Sequence, residues 1–189
     1  MAQRGQFDRS TNQRWKIEPE RFRRNFEVIR PPEVTHLLYE IRWGRSPKTW
    51  KNFCTSDPTR HAEINFLENV WSELRCQQTT PCYITWFLSW SPCGVCSRRI
   101  IEFLAEHRNV MLEIRMSQLY RYYDERNQKG LRNLDQNGVK IAIMNPFDYA
   151  YCWRTFVACQ GSGEEYWQWF FLQHIWFYSQ LLRWILMSS

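Results

Sequence analysis

At 189 residues the chain is long enough to bury a sizeable core, and its length favours one domain. A formal net charge of +6 and a pI near 9.0 suit a polyanionic partner, and aromatic residues at 17% leave rings for stacking beyond those a core consumes. Seven cysteines, an odd number without framework spacing, exclude a disulfide scaffold.

Residues 1–14 read as a flexible basic arm and 15–189 as a single domain. Met1–Gln6 holds no apolar run, so no signal peptide is expected, and the setting expected is intracellular and reducing. Pro19 opens a short helix through Phe26 whose Arg21, Arg23 and Arg24 fit either a phosphate contact or a solvated face. Thr35–Trp43 reads as a strand, Gly44–Pro47 as a turn and Lys48–Cys54 as the returning strand. After a loop at Ser56–Thr59, His61 opens a helix in which Glu63, Leu67, Val70, Trp71 and Leu74 recur at three and four. Cys82–Leu88 is a third strand, rich in aromatic and β-branched residues. Ser91 as N-cap with Pro92 at the first helical position predicts a helix through His107. Val110–Met116 and Val139–Met144 are further strands, separated by a helix over Asp124–Asn137 that Gly138 stops. Pro146 starts another helix, through Ala158.

Gln160–Gly163 is a break before an aromatic helix over 165–187. Phe171, Ile175, Tyr178, Leu182 and Ile185 form a stripe expected to pack on the sheet. Trp169, Leu172 and Trp176 form a second face, either buried in the monomer or open to a homodimer or protein partner. Gln168, Gln173, His174, Gln180 and Arg183 interrupt any membrane-spanning run. Helix crossovers between strands predict an α/β layer with some parallel pairing.

The chemistry concentrates in His61-Ala62-Glu63 and Pro92-Cys93-Gly94-Val95-Cys96. His61, Cys93 and Cys96 supply three N/S ligands, which suit Zn²⁺ with its fourth tetrahedral position left open for water, as a catalytic site requires. Cys93 and Cys96, three apart, share a helix face, and a helix N-terminus favours thiolate. Glu63 remains as a carboxylate free to move protons. A structural zinc would instead need a fourth protein ligand.

With Leu38–Gly44, Thr85–Cys93, Gly130–Leu134, Ile141–Met144 and Tyr151–Phe156, these residues make the chain resemble the AID/APOBEC polynucleotide cytidine deaminases, whose own signature is H-x-E…P-C-x-x-C. The likeness runs from Trp15 to Phe156 and is greatest to the apolipoprotein-B mRNA-editing branch. The resemblance implies a five-stranded mixed sheet flanked by about six helices, a zinc cofactor and C-to-U conversion in single-stranded DNA, RNA or both. It implies that Glu63 is the catalytic acid and base, that Trp90 beside Ser91 walls the target cytosine, and that Tyr120 is a second stacking ring. Arg121 and Tyr122 belong to the loop that reads the 5′ neighbour in relatives, and Arg126 and Arg132 match basic positions of the branch. Cytoplasm and nucleus are the compartments expected. A free-nucleoside deaminase and a non-catalytic zinc module are the rival readings.

Overall fold

The computed structural model describes residues 16–27, 31–73, 80–158 and 169–188. The basic arm at 1–14, Trp15, Leu74, the break at Gln160–Gly163 and the first residues of the expected C-terminal helix lie outside them. Five strands form one sheet: β1 (His36–Trp43), β2 (Thr49–Thr55), β3 (Cys82–Trp90), β4 (Val110–Gln118) and β5 (Lys140–Ile143). Their order is β2-β1-β3-β4-β5. The hairpin β1/β2 and the β1/β3 pair are antiparallel, whereas β3/β4 and β4/β5 are parallel. The helices are α1 (Pro19–Phe26), α2 (Ala62–Asn65), α3 (Trp71–Glu73), α4 (Gly94–Glu106), α5 (Glu125–Gln136), α6 (Pro146–Phe156) and α7 (Trp169–Met187). A π-helical turn at Phe66–Val70 fuses α2 and α3 into one stretch, which leaves six helical bodies among the described residues around a mixed sheet. This is the deaminase-type α/β architecture expected from the sequence.

Both faces of the central strands are buried, which is why they read as near-continuous apolar runs. Leu37, Tyr39 and Ile41 of β1, with Ile84, Trp86 and Leu88 of β3, face one core shared with α4, α5 and α7. Leu38 and Phe87 face a second core filled by Phe22 and Phe26 of α1 and Tyr149, Cys152 and Phe156 of α6. Of the expected α2 stripe, Glu63 is buried and Leu67, Val70 and Trp71 pack against the core, but the most buried ring of that stretch is Phe66 at 0% exposure, which the stripe left out. Phe66, three after Glu63 and four before Val70, belongs to the same helical face and opens the π turn. Phe66 meets both Tyr39 and Trp86 edge-on at 4.9 Å.

On α7, Phe171, Leu182 and Ile185 are buried, and Ile175 and Tyr178 pack against the core, as the stripe requires. The other face stays in solvent: Leu172, Trp176, Phe177, Trp184 and Met187 are all exposed. No helix among the described residues is long and apolar enough to cross a membrane.

His36 ties α1 to the sheet. Its Nε2 accepts from Arg21 Nε at 2.9 Å and its Nδ1 donates to the Val34 carbonyl at 3.1 Å, so the ring is neutral. Burial holds its pKa down at about 4. The unfolded ring charges near pH 6.5, so the stabilisation is complete above that value and is lost as pH falls toward 4. The loss reaches up to about 3 kcal/mol. Urea unfolding of wild type and His36→Asn in parallel at pH 7 and 4.5 should show a steeper loss in wild type; equal losses would sink this account.

Candidate metal centre and active site

The site lies beyond the carboxyl ends of the parallel strands β3 and β4, the usual place for chemistry in an open α/β sheet. His61 is the N-cap of α2 and Cys93 the N-cap of α4, so two helix starts meet there. His61 Nδ1 lies 3.6 Å from Cys93 Sγ and 3.3 Å from Cys96 Sγ. Tetrahedral zinc with ordinary Zn–S and Zn–N bonds needs S···N spacings of about 3.6 Å. The three donor atoms lie within 4.8 Å of one another, and among the described residues no fourth His, Cys, Asp or Glu joins them. One imidazole and two soft thiolates suit zinc over hard cations, so the donor set fits. Cys93 is drawn down to a pKa of about 5, chiefly by the hydrogen bond from the Cys96 thiol, and Cys96 is raised by that same pairing and by burial.

Glu63 sits on the first turn of α2 at 2% exposure, and its Oε2 has no hydrogen-bond partner. Burial pushes its pKa up to about 7. A buried carboxyl with one oxygen unpartnered is costly for stability alone, and a pKa near neutrality suits a group that must both give and take a proton. Glu63 lines a cavity of about 280 Å³ with His61, Cys93, Trp90, Ser91 and Tyr120. Trp90 is anchored by its Nε1–H to the Pro32 carbonyl at 3.2 Å, and its ring meets Tyr120 at 5.7 Å and 75°. Two aromatic walls thus stand edge to face beside the His-Cys-Cys cluster.

Ser91 does not cap α4. β3 extends to Trp90, which pairs with Gln118, and the Ser91 N–H donates to the Gln118 carbonyl at 2.9 Å. Its hydroxyl accepts from the Tyr120 N–H at 2.9 Å, so Ser91 positions Tyr120 rather than opening a helix. The helix starts only at Gly94, which leaves Cys93 at the cap and Cys96 in the first turn.

The 119–124 loop divides its side chains. Arg121 takes φ of +40°, an uncommon left-handed conformation for a residue with a side chain, and its guanidinium lies 5.4 Å over the Tyr120 ring. On either side of the kink Tyr120 lines the cavity at the His-Cys-Cys cluster and Tyr122 faces α7, where it meets Phe177 at 6.5 Å. Arg126 borders a second, larger cavity next to the site. Arg132 is placed elsewhere: its guanidinium donates to the Ile185 carbonyl at 3.3 Å, near the end of α7, and it borders neither cavity.

Asn127 escaped sequence reasoning. Its Oδ1 accepts the Gly94 N–H at 2.9 Å, while its Nδ2 donates to the Tyr120 and Arg121 carbonyls at 3.3 and 3.4 Å. One amide therefore ties the start of α4 to the loop. The signal was a polar residue opening the buried stripe Asn127, Gly130, Leu131 and Leu134.

A family model described as APOBEC4-like AID/APOBEC deaminase matches residues 18–159. The C-to-U-editing enzyme APOBEC-1 of Mus musculus is 45% identical over 163 residues, covering 86% of this chain and 70% of that protein. Its counterpart from Mesocricetus auratus is 47% identical over 154 residues, covering 82% and 67%. The DNA dC-to-dU-editing enzyme APOBEC-3G of Lagothrix lagotricha is 32% identical over 165 residues, covering 80% of this chain and 42% of that protein. The rodent matches agree with the branch that the sequence resembles. Because the matched span holds all five strands and the whole His-Cys-Cys cluster, the chain belongs to the AID/APOBEC deaminase family.

Proposed function

We propose that this chain hydrolytically deaminates cytosine to uracil in single-stranded DNA or RNA, with zinc held by His61, Cys93 and Cys96. The observation that carries the reading is Glu63: a buried carboxyl with an unpartnered oxygen, in a small aromatic-walled cavity beside three metal donors. Zinc bound there would acidify water at its open position. Glu63 would take that water's proton and give it to the ring nitrogen of cytosine, which makes C4 electrophilic. Water's oxygen adds at C4, the C4–N bond breaks, and Glu63 passes a second proton to the amine, which leaves as ammonia. The relatives' printed names, C-to-U-editing and DNA dC-to-dU-editing enzymes, support the same base change.

Trp90 and Tyr120 would hold the extruded base, and Ser91 would act through Tyr120. Tyr122 would meet a flanking nucleotide only on the α7 side of the loop. The exposed apolar face of α7 is the proposed place for a second copy of the chain or a protein partner, and cytoplasm and nucleus are the proposed compartments.

The test compares matched cytosine-bearing DNA and RNA strands with free cytidine. Uracil in either strand at a higher kcat/KM than for cytidine supports the reading; faster turnover of cytidine contradicts the polynucleotide assignment. Trp90→Ala and Tyr120→Ala should each lower kcat/KM about 5- to 150-fold, the loss of about 1–3 kcal/mol of base stacking. Unchanged kinetics in both variants would remove the rings from the site.

A further inference from the structure

The metal cluster opens onto two cavities of opposite charge. His61, Cys93 and Tyr120 border both. The smaller is lined by the carboxyl groups of Glu33, Asp57 and Glu63 and, among the described residues, by no lysine or arginine. The larger, about 710 Å³, runs away from the cluster between α4 and α5, and Arg98, Arg121, Arg126 and Lys129 outnumber Glu102 and Asp124 along it. A polynucleotide splits the same way: the target base is uncharged and its backbone is anionic.

The groove is built by helix periodicity. Gly94, Arg98 and Glu102 recur at four on α4, and Arg126, Lys129, Asn133 and Asn137 at three and four on α5, so each helix turns one face to it. Its floor is a direct crossing of backbones. A Cβ on Gly130 would lie 2.9 Å from Gly94 Cα, and one on Gly94 would lie 2.6 Å from the Arg126 carbonyl oxygen. With glycine on both helices at the crossing and the Ser97 hydroxyl beside it, there is no room for a larger residue at either position. The cations are only loosely engaged. Arg98 Nε is 3.9 Å from Glu102 at 71% side-chain exposure, and Arg126 Nε is 3.5 Å from Asp124 at 89%. Exposed pairs of this kind are weak and leave both guanidinium groups available to a phosphate.

We propose that the α4/α5 groove is a second binding subsite, for the phosphodiester backbone of the strand whose cytosine occupies the smaller cavity, and that Arg98 and Lys129 are backbone contacts. The identity of the ligand rests on the deaminase reading; the charge and shape of the groove do not.

The test is equilibrium binding of cytosine-free oligothymidylate and oligouridylate, about 4 and about 16 nucleotides long. The full chain and its Arg98→Gln/Lys129→Gln variant are titrated over a salt series, with uracil formation followed separately on cytosine-bearing strands. Wild type should prefer the long strands. The double variant should bind them about 10- to 30-fold more weakly at 0.1 M salt, with a slope of log K against log salt shallower by about 1.4. Lys48→Gln, in the β1–β2 turn at the other end of the sheet, should keep the wild-type slope. DNA and RNA should lose equally, since the backbone charge is common to both; a loss confined to one overturns the phosphate assignment. A double variant with wild-type affinity and slope, beside a wild type that makes uracil, overturns the groove and leaves the deaminase reading standing. Length-dependent binding lost in the variant, with no uracil from either protein, keeps the groove and removes the deaminase reading. A wild type that binds no strand overturns both.

Discussion

Glu63→Gln should leave a folded, metal-loaded protein that turns over at least about 10⁴-fold more slowly than wild type. General acid–base catalysis contributes about 10²–10⁴ per group, and here one carboxyl serves both proton transfers. The swap preserves shape and removes only the titrating proton. Glu63 stands outside the group of donors formed by His61, Cys93 and Cys96, so metal content should be unchanged. Stability should hold or rise, because the side chain is buried with an unpartnered Oε2 and its charged form is disfavoured there. Zinc analysis, thermal unfolding and single-turnover kinetics on one preparation test all three points. A Gln variant with substantial activity and full zinc would remove Glu63 from the chemistry; loss of zinc would make it a ligand.

The second large effect belongs to the donors. Cys96→Ala should abolish activity and reduce zinc from about one per chain to a small fraction. Cys96 is 1% exposed and links the first turn of α4 to His61 at the start of α2, so the ion would also brace two helices. A metal present at 1,000 times its Kd stabilises a fold by about 4 kcal/mol. For a chain of this size that corresponds to a Tm about 8–16 °C lower, in the variant or in chelated wild type. Chelation of Cys96→Ala should then produce no further shift. If Cys96→Ala keeps its zinc and activity, the three-donor centre is wrong.

The meeting of His61, Cys93 and Cys96 was legible in sequence because residues able to hold a metal declare themselves by type and spacing. Positions that depend on pairing between distant segments were not. Ser91-Pro92 is a fair local signal for a helix start, yet pairing of Trp90 with Gln118 carries β3 onward and consigns the Ser91 hydroxyl to Tyr120. Arg132 looked like its neighbour Arg126 in sequence and differs only because the end of α7 arrives beside it. Tyr122 sits next to Arg121, and the left-handed kink at Arg121 sends it to α7. The π turn over Phe66–Val70 left no trace in the apolar period, and Phe66, which fits that period at three from Glu63, was passed over in favour of Leu67 although it is the more buried of the two. The strands were read to within two residues at either end, because both faces of the sheet are covered and the apolar runs are long.

The α7 stripes show the boundary of such reading. Periodicity separated the buried set, Phe171, Leu182 and Ile185, from the exposed set, Leu172 and Trp176, without saying whether anything covers the second. Tyr122 and Phe177 link that exposed face to the 119–124 loop, so a partner on α7 would stand beside that loop.

The central claim is a hydrolysis at C4 of cytosine. The most direct measurement is mass spectrometry of a single-cytosine strand after incubation with the zinc-loaded protein in water enriched in oxygen-18. The account predicts uracil carrying one heavy oxygen at C4 with wild type, and unaltered cytosine with Glu63→Gln. Unaltered cytosine in both DNA and RNA strands with folded, zinc-loaded wild type would contradict it.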